Sequence, residues 1–241
     1  MSELKNIWNL AKTGFADKKE RSKKELVFFL IKMFLILVFF KISTFGIAYF
    51  LESLDIFEIP ANLNRGRFRN SSDFEVLFLI AVYAPIVEEL TFRLPLKFSK
   101  WNLIISAMGL NLAILKIFGE IEYLYCFIIS AAIGITLYLF LKQNTIELFQ
   151  KFWTNNKLIV FYFFLLIFSF LHLKNYELTA EVLLFSPVII LPRILGAMVY
   201  SYIRLSSGIL LAICFHAFNN GIFKIITIIS DYTNGIFSLP V

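Results

Sequence analysis

From residue 26 to residue 51 the chain is apolar and aromatic almost throughout, with Lys32 and Lys41 its only charges, and further runs of the same kind follow it to the end. A helix needs about 20 such residues to cross about 30 Å of hydrocarbon. On that criterion the candidate spans are 26–51, 74–92, 101–118, 123–142, 158–173, 182–203 and 207–230. The first is longer than one crossing, which fits an interfacial helix that then enters the bilayer. The sixth contains Pro187 and Pro192, which remove backbone donors and are expected to kink or split it.

Composition agrees. Of 241 residues 59% are hydrophobic and 29 are Phe, outside the range of a water-soluble fold, and mean hydropathy is +0.77. The expected fold is all-α: a polytopic transmembrane helical bundle of about seven spans, in one domain over 26–241, with its active site inside the bilayer. Residues 1–25 precede it as a basic cytoplasmic segment.

That segment holds seven cations, Lys5, Lys12, Lys18, Lys19, Arg21, Lys23 and Lys24, against Glu3, Asp17, Glu20 and Glu25, and so supplies +3 of the net +6. Such a flank reads as an anchor beside anionic lipid, and no basic soluble domain exists to bind nucleic acid. Lys and Arg in the 93–100 and 142–157 connections, with Arg204, place the N-terminus in the cytoplasm of a multi-pass cell-membrane protein. Arg65, Arg67 and Arg69 would then fall outside, so either the first run does not cross once or that loop folds against the protein. A run that follows about 25 polar residues and exceeds a signal h-region reads as an uncleaved signal anchor. Cys126 and Cys214 lie in separate apolar runs without partner spacing, as buried small hydrophobes rather than a disulfide or zinc knuckle.

Within these runs sit groups that lipid does not tolerate without reason. Glu88-Glu89-Leu90-Thr91-Phe92-Arg93 closes the second span, and each ionisable side chain at depth costs about 2.5–3.5 kcal/mol on insertion scales. Glu89 and Arg93 share a helix face and can pair. Glu88 is rotated about 100° away and has no partner in the motif, so it needs a histidine, a metal, water or a proton. Pro85, three residues earlier, leaves a carbonyl without its donor and opens the helix beside Glu88. The chain's two histidines, His172 and His216, both lie in apolar runs, with Phe168 one turn before the first and Asn220 one turn after the second. A lone intramembrane histidine is often an interhelical hydrogen bond. With a diacid in the same chain, a shared polar site becomes the better reading.

Such a set can hydrolyse a bond: a carboxylate takes a proton from water, histidines polarise the carbonyl or stabilise the oxyanion, and Asn220 supplies a donor. Zinc on two histidines and a carboxylate is the variant, and the sequence does not choose between them. Glutamates and histidines at depth also mark proton paths, so a non-proteolytic membrane protein, a proton-coupled carrier or a receptor-like scaffold, is the rival. Lys32, Lys41, Lys116, Arg193 and Lys224 read as snorkelling or helix-end residues.

In order and type, Glu88-Glu89-x-x-x-Arg93, Phe168-x-x-x-His172 and His216-x-x-x-Asn220 resemble the motifs of the CPBP family, the CAAX prenyl endopeptidases and bacteriocin-processing intramembrane proteases. The likeness covers roughly 84–221. Leu94 stands where that family often has glycine, and the 101–142 hairpin reads as an insertion. The resemblance implies an endopeptidase acting on membrane-associated peptides, prenylated or bacteriocin-like, and reached from the cytoplasm. Glu88 would be the water-activating base, His172, His216 and Asn220 would complete the site, and Glu89 and Arg93 would hold it. One geometric conflict stands against this. Upright helices would put Glu88 near the cytoplasmic end of its span and His172 near the outer end of its own.

Overall fold

The computed structural model describes residues 2–63, 68, 71–119 and 121–237, so Arg65, Arg67 and Arg69 and the side of their loop lie outside the described residues. Everything regular among them is helical. The helices are α1 (Ser2–Thr13), α2 (Lys23–Ser53), α3 (Asp73–Phe78), α4 (Ala84–Glu88), α5 (Lys100–Phe118), α6 (Tyr123–Phe140), α7 (Gln143–Asn155), α8 (Lys157–Leu171), α9 (Ala180–Leu184), α10 (Ser186–Ser207) and α11 (Ile209–Phe237). Among the described residues six helices are long and apolar enough to cross a membrane: α2, α5, α6, α8 with its following turn, α10 and α11. The chain is a multi-pass membrane protein. Outward faces such as Phe39 and Ile42 on α2 or Leu139 and Phe140 on α6 remain exposed, as lipid contact requires.

The seventh candidate, 74–92, is helical but in pieces. α3 passes into a π turn (Leu79–Tyr83), then α4, a second π turn (Glu89–Arg93) and a 3-10 turn (Leu94–Leu96). In the π turns the Ala84 N–H donates to Leu79 O and the Leu94 N–H to Glu89 O, five residues back. Prolines enforce the breaks. Pro95 has no N–H for the Thr91 carbonyl, which accepts from Ser106 Oγ of α5 at 2.5 Å instead. Pro85 has none for the Ile80 carbonyl five residues before it, which accepts from Asn220 Nδ2 of α11 at 3.3 Å. The carbonyl that the sequence left open to water beside Glu88 is thus closed by a side chain. The Arg93 and Leu94 carbonyls at the segment's end accept from Arg204 Nε and Nη2 of α10, both at 3.3 Å. α5 lies so close that a Cβ at Gly109 would run into Thr91 Oγ1.

α10 is the central post. Every residue from Gly196 to Ser206 is buried, against α2, α8, α1 and α11. Phe29, Met33 and Leu37 of α2, Phe161, Phe164 and Phe168 of α8, and Tyr202 and Ile203 of α10 form one core. The expected break in 182–203 falls at Phe185, between α9 and α10, because Pro187 can occupy the first turn of a helix but not its interior. Pro192 stays inside α10. Gly208, at φ +109, turns the chain into α11, a conformation that side-chain-bearing residues rarely adopt.

The basic N-terminal segment is built into the bundle rather than lying free. α1 buries Ile7 and Leu10 in the main core. Tyr202 Oη donates to Glu3 Oε2 at 2.7 Å, Tyr162 Oη to Ala11 O at 2.8 Å, and Arg21 Nη1 to Ser207 Oγ at 2.8 Å. Cys126 is buried as expected. Cys214 is exposed, because it lies on the outward face of α11, and the expectation of burial fails there.

Candidate active site

The conflict over depth is resolved by length. α8 has 15 residues and rises only about 22 Å at 1.5 Å per residue, short of a full crossing of about 30 Å. It ends at His172, which begins a 3-10 turn (His172–Asn175). His172 therefore stops part-way along the neighbouring segment, level with Glu88. Glu88 itself lies at the junction of α4 and the second π turn, and π turns recur at functional sites because they re-aim the residues around them.

The side chains converge. Glu88 Oε1 is 3.9 Å from His172 Nε2, and Glu88 Oε2 is 3.7 Å from His216 Nε2. Behind them, His216 Nδ1 lies 2.9 Å from Glu89 Oε1, which is 3.7 Å from Arg93 Nη1. The His172 Nδ1–H donates to the Phe168 carbonyl at 2.8 Å, since a carbonyl can only accept. The His216 Nδ1–H donates to the Glu89 carboxylate, which lies 3.7 Å from the Arg93 guanidinium. The Nε2 atom of each ring then faces Glu88. The gaps are too wide for a direct hydrogen bond, and a water between them would bridge the carboxylate and an imidazole.

The surrounding residues hold the rings still. Tyr200 stacks on His216 with centroids 4.1 Å apart, and Phe168 meets His172 edge-on at 4.6 Å. Arg93 lies over the Phe168 face at 3.7 Å; among the described residues neither of its Nη atoms, nor Glu89 Oε2, has a hydrogen bond. Glu89 and Arg93 are sealed at 0% and 1% exposure, whereas the Glu88 side chain keeps 24%. It opens onto a cavity of about 930 Å³ that His172 and Asn220 also line.

Of the residues singled out from sequence, Glu88, Glu89, Arg93, His172 and His216 form one connected group. Asn220 lines the same cavity but spends its amide on Ile80 O. Sequence reasoning missed Asn219, which is 1% exposed and donates from Nδ2 to Tyr200 Oη at 2.8 Å and to Asn220 Oδ1 at 3.2 Å. The doubled Asn in an apolar run was the available signal. Lys41 is a correction: Nζ points inward, 3.4 Å from Asn219 Oδ1 and 3.5 Å from the Phe223 ring centroid, rather than snorkelling. Lys116, Arg193 and Lys224 line the cavity as well.

Zinc fits poorly. Tetrahedral ligands at about 2.0–2.1 Å from zinc are about 3.4 Å apart, closer than the carboxylate and imidazoles here. Among the described residues no group of three His, Cys, Asp or Glu side chains is arranged to hold a metal.

No protein family, no curated protein and no solved structure matches this chain.

Proposed function

We propose that the protein is an intramembrane endopeptidase whose site is Glu88, His172, His216 and Asn220, with Glu89 and Arg93 behind it. The observation that carries this reading is Glu88, between two histidine Nε2 atoms at 3.7 and 3.9 Å, on the wall of a cavity between the helices. A water in the gap gives one O–H to Glu88 and the other to an imidazole. Glu88 takes the proton, the oxygen attacks the peptide carbonyl, and the protonated carboxyl returns the proton to the leaving amine. Glu89 fixes the His216 tautomer and Arg93 fixes Glu89, the orienting logic of acid–histidine pairs in hydrolases.

The cavity admits a membrane-associated peptide, the substrate class that the CPBP resemblance implies. The apolar run 74–92 supports a seventh crossing by this broken segment, and the Lys and Arg of the 93–100 and 142–157 connections, with Arg204, support an N-terminus in the cytoplasm. The test is cleavage of a lipidated or hydrophobic peptide by the purified protein. Wild type is expected to release fragments, and Glu88→Gln is expected to be slower by at least 100-fold at unchanged folding. Equal rates would end the proposal, as would proton-gradient-driven uptake in liposomes with no peptide bond broken.

A further inference from the structure

The cavity beside Glu88 is strongly unbalanced in charge. Among the described residues its wall carries Lys41 of α2, Lys116 of α5, Lys174 of the 3-10 turn, Arg193 of α10 and Lys224 of α11, against the carboxylate of Glu88. Three of these ammonium groups are occupied: Lys116 Nζ donates to Ile121 O at 2.9 Å, Lys174 Nζ to Ile117 O at 2.6 Å, and Lys41 reaches Asn219. For Arg193 and Lys224 there is no hydrogen bond or ion pair among the described residues. Glu89 cannot serve them, since it is sealed behind His216 and committed to Arg93.

Like charges that line one cavity sum to a positive potential there and draw an anion into it. A guanidinium also offers a planar fork that matches a carboxylate or a phosphate. Arg193 and Lys41 line a second, smaller pocket of about 50 Å³ beside His216 as well, so the cationic wall reaches the catalytic group.

We infer that Arg193 and Lys224, with Lys41, form an anion subsite that binds a carboxylate or phosphate carried by the molecule occupying the cavity. The subsite deepens the endopeptidase reading, since it makes the substrate an anionic amphiphile and sets its register against Glu88. The two cations are specificity residues and not part of the hydrolytic group.

The test separates the subsite from the hydrolysis by measuring binding without turnover. Glu88→Gln protein in zwitterionic lipid nanodiscs is titrated with a dansyl-labelled hydrophobic hexapeptide ending in a free carboxylate, with its carboxamide twin, and with short-chain phosphatidic acid as competitor. The expected result is at least ten-fold tighter binding of the carboxylate peptide, weakened by salt, with the preference reduced below two-fold by adding Arg193→Gln or Lys224→Gln. Arg193→Lys is expected to retain part of it, which distinguishes charge recognition from a loss of fold. Displacement by phosphatidic acid shows that phosphate is accepted too; preference for that lipid alone, abolished by Arg193→Gln, identifies a headgroup as the source of the anion. Equal binding of the two peptides together with no competition by the lipid overturns the inference. A carboxylate preference in a protein whose wild-type form cuts nothing keeps the subsite and ends the protease.

Discussion

His216 donates its Nδ1–H to Glu89 across 2.9 Å, and the acceptor is a carboxylate that water does not reach. The other nitrogen is left to face Glu88. One hydrogen bond thus fixes the orientation of the ring, and the Arg93 guanidinium stands 3.7 Å from its acceptor.

Removing one member of that buried pair leaves the other uncompensated. Arg93→Ala and Glu89→Ala are each expected to destabilise the protein by about 3–5 kcal/mol, and the double variant by clearly less than the sum. Thermal unfolding in detergent, read as a double-mutant cycle, checks this.

Because the carboxylate and imidazoles stand too far apart to share zinc comfortably, cleavage is expected to survive a strong chelator within about two-fold. Metal analysis of the purified protein is expected to find well under one equivalent. Loss of activity on chelation, restored by added zinc, would contradict the reading.

Close packing of α5 against the second π turn gives a third expectation. Gly109→Ala places a methyl on Thr91 Oγ1 and is expected to cost about 1–3 kcal/mol. Thr91→Ala in the same chain is expected to recover part of the loss. A Gly109→Ala protein as stable as wild type would show that the contact relaxes freely.

At the N-terminus, burial pushes the Glu3 carboxyl up, but hydrogen bonds from Asn6 and Tyr202 and the charges of Lys19 and Arg21 outweigh it and hold the group below its ordinary value of 4.5. A depressed carboxyl contributes its stability above the unfolded value and loses it as pH falls through the folded one. Docking of α1 is therefore expected to be firm at pH 6 and to loosen below about pH 4, seen as faster proteolysis within residues 1–21. Glu3→Gln is expected to flatten that dependence.

The helical membrane architecture was legible because twenty-residue apolar runs leave little choice in lipid, and the polar set stood out because a diacid and both of the chain's histidines fall within those runs. Glu88 and Glu89 were separable by their rotation about the axis alone. The π turns were not legible, since they depend on which carbonyl each proline orphans and on Ser106 and Asn220 arriving from other helices. The docking of α1 left a mark in Leu4, Ile7, Leu10 and Ala11, which recur at helical spacing, but the lysines among them also read as a basic flank. Lys41 looked like a snorkelling residue because sequence records its depth in the run but not which way it turns.

Of the two thiols, Cys126 is sealed and Cys214 faces outward from α11, two residues before His216 and so about 3 Å from it along the helix axis. The unaltered chain thereby carries its own depth gauge. A nitroxide attached at Cys214, with collision rates compared for dissolved oxygen and a water-soluble nickel chelate, measures the depth of His216 relative to the headgroups.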